Sequence, residues 1–351
     1  MPAVSLLNAR MAGKLNWGII TTGWIARKFA TDLLQSRTGR LVAVGSRKVS
    51  DAKKFAQDFG GVSAHGSYEA LLADPEVQAV YIGTPHPMHL EWAVKAAEAG
   101  KHILCEKPLT LRLADTLQII EAAKRHGVLL MEAFMYRFHP QTLKIVELVR
   151  AGAIGDLRLI RASFNVVCNF DPEHRMFKKS LGGGSILDLG CYPITFSRHI
   201  AGAVTGKAFV EPVEFHGTGR LHPLVGTDDF ATAVARFPGD IFGELSCGST
   251  VRNDSTAQIF GSKGWIHVPN PFTPGLLGKE EEIVLHRSGG VTPERIAIKS
   301  PGVGLYAYEA DAVAEAIARG DREVPLASWA DTIGTAKLLD AWLASVGLKY
   351  D

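Results

Sequence analysis

Residues 15–34 have the sequence LNWGIITTGWIARKFATDLL, in which an apolar run, a glycine-containing loop and a helical pattern follow one another. The run Leu15–Ile20 predicts a buried β-strand, and the apolar spacing over Ile25–Leu34 predicts a helix. The loop between them matches the pattern Gly-x-Gly-x-x-Ala, with Thr21 in place of the first glycine and Ala26 at its end. A strand, such a loop and a helix in this order predict the first βα unit of a dinucleotide-binding fold.

The loop also predicts how a dinucleotide is held. Gly23 lies where the backbone approaches the pyrophosphate, and the unpaired N–H groups at the helix N-terminus favour an anion. Thr21 fits this turn if its φ is negative, and its hydroxyl can donate to phosphate. The alternative is an ordinary βα turn. The cofactor contacts predicted here are Thr21, Thr22, Gly23, Trp24 and Ile25.

The end of the second predicted strand indicates which nicotinamide cofactor is used. The chain reads Gly45-Ser46-Arg47-Lys48 there, without the acidic residue that binds the ribose hydroxyls of NAD. A serine hydroxyl and the fork of an arginine suit a 2′-phosphate instead. Ser46, Arg47 and Lys48 therefore predict NADP in preference to NAD. The alternative is that Arg47 and Lys48 are a solvated surface pair.

Strand patterns alternate with helical patterns as far as Phe138, which predicts βαβ units and a parallel sheet with helices on both faces. The further strands are predicted at Leu41–Ser46, Ala79–Ile82, His102–Cys105 and Val128–Glu132. The further helices are predicted at Ser50–Phe59 with Ser50 as N-cap, at His89–Ala99 and at Leu111–Arg125. The fold class is therefore an α/β Rossmann fold with a doubly wound parallel sheet.

The pattern changes after Phe138. A helix at Leu143–Arg150 is followed by β-rich runs joined by short turns, which predict antiparallel hairpins in a large open sheet. Those runs are Leu157–Phe164, Asp229–Phe237, Ile241–Ser246, Gln258–Phe260, Trp265–Val268 and Glu282–His286, and helices return at Tyr306–Ala318 and Trp329–Ala344. We predict a tail over residues 1–14, a Rossmann domain over 15–137 and an α+β substrate-binding and oligomerisation domain over 138–351. The last helices can pack back on the first domain.

Composition excludes several classes of protein. Of the 351 residues, 46% are hydrophobic and 21% are charged, and the net charge is +2. This is the balance of a folded enzyme, not of a disordered or nucleic-acid-binding chain. No apolar stretch approaches the roughly 20 residues of a membrane span. Residues 1–14 lack a secretory core, so a cytoplasmic enzyme is expected. No histidine or cysteine pair has metal-ligand spacing, so no metal site is predicted.

Two further motifs contain reactive side chains. Lys107 follows a predicted strand in the triplet Glu106-Lys107-Pro108, and ligands bind at the carboxyl ends of parallel strands. Asp188 and Tyr192 are four residues apart, so they share a face if the segment is a helix. The alternatives are a surface lysine, and an aspartate and a tyrosine that only cap and pack a helix.

These motifs together resemble the Gfo/Idh/MocA oxidoreductase family. The resemblance extends from about Leu15 to Gly347 and rests on four segments: Gly23-Trp24-Ile25-Ala26, Glu106-Lys107-Pro108, residues 131–140 (MEAFMYRFHP) and Asp188-Leu189-Gly190-Cys191-Tyr192. Tyr192 stands where other members have histidine. The chain is most similar in this respect to the branch of dimeric dihydrodiol dehydrogenases, NADP-dependent D-xylose dehydrogenases and glucose–fructose oxidoreductase.

The resemblance implies catalytic roles for Lys107, Tyr192 and Asp188. Lys107 would lie near the nicotinamide and the reacting oxygen, Tyr192 would be the acid/base, and Asp188 would help to hold the substrate or the lysine. A free phenol has a pKa of about 10, and a nearby ammonium lowers that pKa because it favours the phenolate. Lys107 would supply this charge while Tyr192 takes the hydroxyl proton.

Other candidate residues are identified by their position in the chain. Thr84, His86 and His89 follow a predicted strand and, together with Glu106 and Lys107, are predicted to line the cofactor; each histidine is equally suited to cap a helix. The predicted substrate contacts are Arg137, His139, Phe164, Asn165 and Arg175.

The predicted function is NADP-dependent hydride transfer between the nicotinamide and a hydroxyl or keto carbon of a sugar, an anhydro-sugar or a cyclic diol. The sugar-like substrate follows from the resemblance alone. Two alternatives stay open: an oxidoreductase that retains NADP(H) and couples two sugars, and a non-catalytic NADP-binding sensor. The open sheet needs a cover, which predicts a homodimer or a higher homo-oligomer. Neither nucleic acid nor a membrane is expected as a partner.

Overall fold

The computed structural model describes residues 13–276, 280–300 and 302–350, which form two compact units. Within the described ranges, the first unit comprises residues 13–110, 114–135 and 302–332, and the second comprises 111–113, 136–300 and 333–350. The predicted tail over residues 1–14 lies outside the described residues except for Gly13 and Lys14. No helix in these ranges is both long enough and apolar enough to cross a bilayer.

The helices that were predicted with bounds lie within three residues of those observed, whereas α3 and the bounds of α7 were not predicted, and one N-cap is corrected. They are α1 (Trp24–Leu33), α2 (Val49–Asp58), α3 (Tyr68–Leu72), α4 (His89–Glu98), α5 (Leu113–His126), α6 (Pro140–Arg150), α7 (Cys191–Val204), α8 (Leu305–Arg319) and α9 (Trp329–Ser345). The prediction that Ser50 caps α2 is wrong. The helix begins at Val49, so Lys48 is the N-cap and Ser50 lies inside the first turn.

The first unit is built on a parallel sheet in the order β3-β2-β1-β4-β5-β6. Its strands are β1 (Leu15–Ile20), β2 (Gly39–Gly45), β3 (Ser63–His65), β4 (Ala79–Ile82), β5 (His102–Glu106) and β6 (Leu130–Ala133). This is the strand order of the doubly wound dinucleotide-binding fold, so the predicted Rossmann class is confirmed.

Aromatic packing joins α1 to this sheet. Trp17 on β1 and Phe29 on α1 are fully buried, with their ring centroids 5.4 Å apart. Phe29 also stacks on Tyr81 of β4, at 4.0 Å and an interplanar angle of 5°. Burial of each such ring contributes about 2–3 kcal/mol to folding. The loop that precedes α1 is thereby held at the carboxyl edge of the sheet.

Helix α8 belongs to the first unit, where it packs on α1. Its Asp311 accepts hydrogen bonds from the hydroxyls of Ser36 and Thr38, both at 2.6 Å. Burial alone would raise the pKa of Asp311, but these hydrogen bonds outweigh it and hold the pKa below its usual value. The ionised carboxylate therefore ties α8 to the loop between α1 and β2.

The second unit is built on a sheet in the order β14-β13-β12-β11-β7-β10-β9-β8. Its strands are β7 (Leu157–Asn165), β8 (Glu214–Leu221), β9 (Asp228–Phe237), β10 (Ile241–Gly248), β11 (Ala257–Gly261), β12 (Gly264–Val268), β13 (Glu281–Arg287) and β14 (Glu294–Ile298). The pair β7 and β10 is parallel, whereas the other neighbours are antiparallel. The prediction of a mainly antiparallel sheet is confirmed. The parallel pair of β7 and β10 was not predicted. A long connection, not a hairpin turn, joins its two strands.

The two faces of this sheet differ in exposure. Helix α7 packs against the face that buries Ile160 and Leu245. The opposite face, called the open face below, carries Val234 and Phe242, which are 53% and 50% exposed. On the same face Arg161 pairs with Glu244, with Nε and Oε2 2.6 Å apart.

Candidate active site

The loop between β1 and α1 forms the predicted tight turn, but not with the predicted backbone. Thr21 has a φ of +88°, in the left-handed region that favours glycine, so the negative φ on which its fit to this turn was made to depend is not observed. Its N–H donates to the carbonyl of Gly45 at 3.0 Å, which ties the turn to β2. A β-branched residue in this region costs about 1–3 kcal/mol, and the surrounding structure sustains that strain.

The N-terminus of α1 has the features of an anion site. Gly23 is the N-cap in an extended conformation, makes no side-chain cap, and the first turn contains no acidic residue. Trp24 is 70% exposed, so this end of the helix opens to solvent. The unpaired N–H groups and the helix dipole both fit a pyrophosphate.

Thr84, Ser46, Arg47 and Lys48 also fit a dinucleotide. The Thr84 hydroxyl is buried after β4 and has no hydrogen-bond partner among the described residues. Ser46 is buried directly after β2, while Arg47 and Lys48 are exposed beside it. Within the described chain no carboxylate forms an ion pair with either cation. Their charges are therefore available to a phosphate.

His89 braces two loops at the carboxyl edge of the first sheet. Its buried ring places Nε2 2.9 Å from the Thr84 carbonyl oxygen and Nδ1 3.1 Å from that of Leu109. Burial lowers the pKa of His89 despite these carbonyls. The ring of His86 lies 5.7 Å away and is also buried. His89 thus ties the loop after β4 to the segment that follows Lys107.

Glu106 anchors the strand end that carries Lys107. Its carboxylate accepts a hydrogen bond from the Tyr81 hydroxyl at 2.5 Å and from the Lys107 N–H at 3.3 Å. Glu132 on the neighbouring strand β6 accepts from the Leu109 N–H at 2.8 Å. Sequence reasoning missed Tyr81 and Glu132 because only the folded sheet brings these distant residues to one edge. The backbone around Lys107 is therefore fixed by buried carboxylates.

The second group of candidate residues begins in a π-helical turn, Ile186–Gly190, which leads directly into α7. Asp188 lies in the π turn and Tyr192 in the α-helix, so the regular spacing assumed for one helix face does not apply. A Cβ at Gly190 would lie 3.1 Å from both Cys247 Sγ and the ring of Trp342. The glycine of the Asp-Leu-Gly-Cys-Tyr motif thus allows the turn to pack closely on β10 and α9.

Asp188 forms a two-pronged ion pair with Arg175. The distances are 3.1 Å from Nη1 to Oδ1 and 3.2 Å from Nη2 to Oδ2. Arg175 was predicted as a substrate contact from its position alone; its observed contact is with the candidate catalytic aspartate.

Tyr192 lies in an aromatic pocket and is 3% exposed. Its ring centroid is 4.9 Å from that of Phe164, 5.5 Å from Phe272 and 5.9 Å from Tyr136. Phe164 was among the predicted pocket residues, whereas Phe272 and Tyr136 were missed because they come from distant loops. The Tyr136 hydroxyl lies 2.9 Å from Thr195 Oγ1 on α7. The rings therefore fix the orientation of Tyr192.

The remaining predicted substrate residues have structural contacts of their own. Asn165 donates from Nδ2 to the Asp254 carbonyl at 2.9 Å. His139 caps α6 by accepting the Gln141 N–H at 3.2 Å, and burial lowers its pKa to about 4. Arg137 is fully buried.

Each of the two units contains a segment that matches a known protein-family model. Residues 15–134 match the Gfo/Idh/MocA oxidoreductase family with its NAD-binding Rossmann fold, and residues 142–267 match the Gfo/Idh/MocA C-terminal domain. The chain belongs to the Gfo/Idh/MocA oxidoreductase family. It is therefore an NAD(P)-binding dehydrogenase or reductase.

Individual relatives of this Gfo/Idh/MocA member match along almost their whole length. Trans-1,2-dihydrobenzene-1,2-diol dehydrogenase from Mus musculus is 33% identical over 343 residues, which cover 96% of this chain and 98% of the relative. The 3-ketoreductase from Actinomadura kijaniata, solved with NADP and TDP-benzene, has a TM-score of 0.82 at 28% identity, covering 95% of this chain and 98% of that chain. Aldose-aldose oxidoreductase from Caulobacter crescentus has the same fold, with a TM-score of 0.83 at 23% identity, covering 95% and 97%.

Proposed function

We propose that this protein is an NADP-dependent oxidoreductase that transfers a hydride between the nicotinamide and a hydroxyl or keto carbon of a sugar, an anhydro-sugar or a cyclic diol. The observation that carries the proposal is the similarity to a diol dehydrogenase over 96% of the chain. The ketoreductase with NADP, at 28% identity, supports the same substrate chemistry and the same cofactor.

The residues that would hold NADP come from three loops of the first unit. The N-terminus of α1 would bind the pyrophosphate, and Ser46, Arg47 and Lys48 would bind the 2′-phosphate. Thr84, His86, His89 and Glu106 would lie along the nicotinamide half, either by contact or by holding the loops there. When bound, NADP supplies or accepts the hydride.

Proton transfer is assigned to Tyr192 and Lys107. Tyr192 would take the proton of the substrate hydroxyl, and the Lys107 ammonium would stabilise the negative charge on the reacting oxygen. Glu106 and His89 keep the backbone of Lys107 in place, while Phe164 and Phe272 orient the Tyr192 ring. Each member of the proposed pair is thus held by a buried framework within its own unit.

The residue types of this pair have a parallel in the ketoreductase. Its solved structures with NADP include one in which a lysine is replaced by alanine and one in which a tyrosine is replaced by phenylalanine. Asp188 would hold the substrate with Arg175 as its partner. Arg137, His139, Phe164 and Asn165 would shape the pocket around it.

We further propose that a second copy of this chain covers the open face. Phe242 and Val234 are half exposed there. On the same face, Arg161 of β7 forms an ion pair with Glu244 of the neighbouring strand β10. Large apolar side chains exposed beside satisfied charges are typical of a homodimer interface.

The experiment that tests the proposed function follows the near-ultraviolet absorbance of reduced nicotinamide. Purified protein is mixed with NADP or NAD and with aldoses, anhydro-sugars, inositols or cyclic diols, and in reverse with NADPH and keto-sugars. Turnover with NADP on one substrate class supports the proposal. NADP binding without turnover across the panel would contradict it, and cofactor that survives gel filtration would point to a retained-cofactor enzyme.

A further inference from the structure

The glycine run before the π turn, residues 182–184, is closely surrounded by other atoms of the protein. A Cβ at Gly183 would lie 2.7 Å from the Arg175 carbonyl oxygen, and the Gly184 N–H donates to the Met176 carbonyl at 2.8 Å. Gly184 has a φ of +123°, which side chains rarely adopt. Its carbonyl accepts the Asp188 N–H at 3.3 Å, so the position of this run determines where the π turn begins.

Asp228 is the first residue of β9, and its carboxyl group packs against this glycine run. Its side chain is fully buried, and Oδ2 accepts the Ile186 N–H at 2.7 Å. Its Oδ1 has no hydrogen-bond partner in the described part of the chain and would collide with any Cβ at Gly184. The carboxyl group therefore caps the π turn and at the same time occupies the space that only a glycine leaves.

Tyr350 covers the same two glycines from another direction. It follows α9, is 7% exposed, and donates its hydroxyl hydrogen to the Gly183 carbonyl. The same hydroxyl would lie 2.9 Å from a Cβ at Gly184. Asp228 and Tyr350 are far apart in sequence, yet both fit against one glycine dipeptide.

We propose that Asp228 and Tyr350 form a clasp over Gly183 and Gly184 that sets the position of the π turn, and through it of Asp188 and Tyr192. Both are positioning residues. The expected effect of the clasp on catalysis rests on the proposed function. The expected effect on the structure of residues 183–192 does not, because it is measurable without substrate.

The charges around the clasp indicate how it responds to pH. Burial raises the pKa of Asp228 to about 7, while the Ile186 and Ser185 N–H groups oppose that rise. The facing titratable groups are Asp229 on the same strand, Cys247 on β10 and Tyr350, and burial raises the pKa of both Cys247 and Tyr350. Because the closed clasp raises this pKa, it binds the proton more tightly than an opened clasp would, and the clasp therefore weakens as the pH rises through about 7.

The first test compares the variant Tyr350→Phe with the control variant Tyr68→Phe, which removes the hydroxyl of a buried tyrosine in the first unit. Amide hydrogen exchange of residues 183–192 should become faster only in Tyr350→Phe. With a substrate from the absorbance screen, kcat of this variant should fall about tenfold while the Kd for NADP stays unchanged. Unchanged exchange and unchanged kcat would overturn the proposal.

The second test compares the variant Asp228→Asn with the control variant Asp240→Asn. Asp240 lies in an exposed turn between β9 and β10. The amide that replaces the Asp228 carboxyl keeps one acceptor oxygen but cannot ionise, so the change in kcat that the wild type shows near pH 7 should disappear only in Asp228→Asn. A wild-type pH profile retained in Asp228→Asn would overturn the role of the carboxylate. If Tyr192→Phe turned over normally, the proposed function would fail, whereas the exchange result would still decide whether the clasp exists.

Discussion

Arg175 holds Asp188 by two parallel hydrogen bonds of 3.1 and 3.2 Å. The Asp188 side chain is 7% exposed and that of Arg175 is 55% exposed, so the guanidinium lies between the carboxylate and solvent. A planar fork fixes the orientation of a carboxylate as well as its charge. Asp188 is therefore held in a fixed orientation within the π turn that leads to Tyr192.

Replacing Arg175 by Gln should lower kcat/KM about tenfold, because Asp188 loses the fork that orients it. Arg175→Lys should give an intermediate value, since it keeps the charge without the planar geometry. Lys178→Gln is the matched control: it breaks an exposed ion pair with Glu173 in the same loop. Steady-state kinetics with NADP measure all three, and equal kcat/KM in Arg175→Gln and Lys178→Gln would exclude the orienting role.

Thr21→Gly should raise the free energy of unfolding by about 1 kcal/mol. The substitution removes the cost of a positive φ at a β-branched residue, which exceeds the extra chain entropy of glycine. Thr22, whose φ is not positive, is the matched control, and Thr22→Gly should destabilise the protein. Denaturant unfolding measures both variants. A loss of stability in Thr21→Gly as large as in Thr22→Gly would show that the strain argument is wrong.

Arg47→Ala should weaken NADP binding at least about tenfold and leave NAD binding unchanged, because only NADP has a phosphate for the guanidinium. Lys53→Ala removes an exposed cation from α2 and should leave both affinities unchanged. Isothermal titration with each nucleotide measures the difference. Equal losses for NADP and NAD in Arg47→Ala would mean that Arg47 does not recognise the 2′-phosphate.

Much of the fold could be predicted because apolar periodicity is a local property. The bounds predicted for β1 and β4 agree with the structure, and α9 begins at Trp329 as predicted. By contrast, β8 was missed because six of its eight residues are exposed, so no alternating apolar pattern marks it.

Candidate site residues could be proposed from the sequence only where a motif is contiguous. Lys107, Asp188 and Tyr192 stand in short motifs, but the supports of Lys107, such as Tyr81 and Glu132, lie on other strands. The π turn was missed because residue spacing does not distinguish a π turn from an α-helical turn. The φ of Thr21 could not be foreseen because a hydroxyl side chain gives no sign of the strain that its surroundings impose.

Phe242→Asp should convert the protein to a monomer if a second copy covers the open face. A buried, unpaired carboxylate in an interface costs several kcal/mol, whereas on a free surface it costs almost nothing. Leu117→Asp is the control, since Leu117 is 45% exposed on α5 in the other unit. Sedimentation equilibrium at micromolar concentration measures the mass. A wild-type monomer, or a Phe242→Asp dimer, would refute the proposed interface.

Tyr192→Phe tests the central proposal, that a tyrosine moves the proton during hydride transfer. The variant keeps the ring that packs against Phe164 and Phe272 and loses only the hydroxyl. With the best substrate from the screen, kcat should fall by about 100-fold or more while the Kd for NADP stays unchanged. A kcat within about twofold of wild type, with NADP binding intact, would contradict the assignment of Tyr192 as the acid/base.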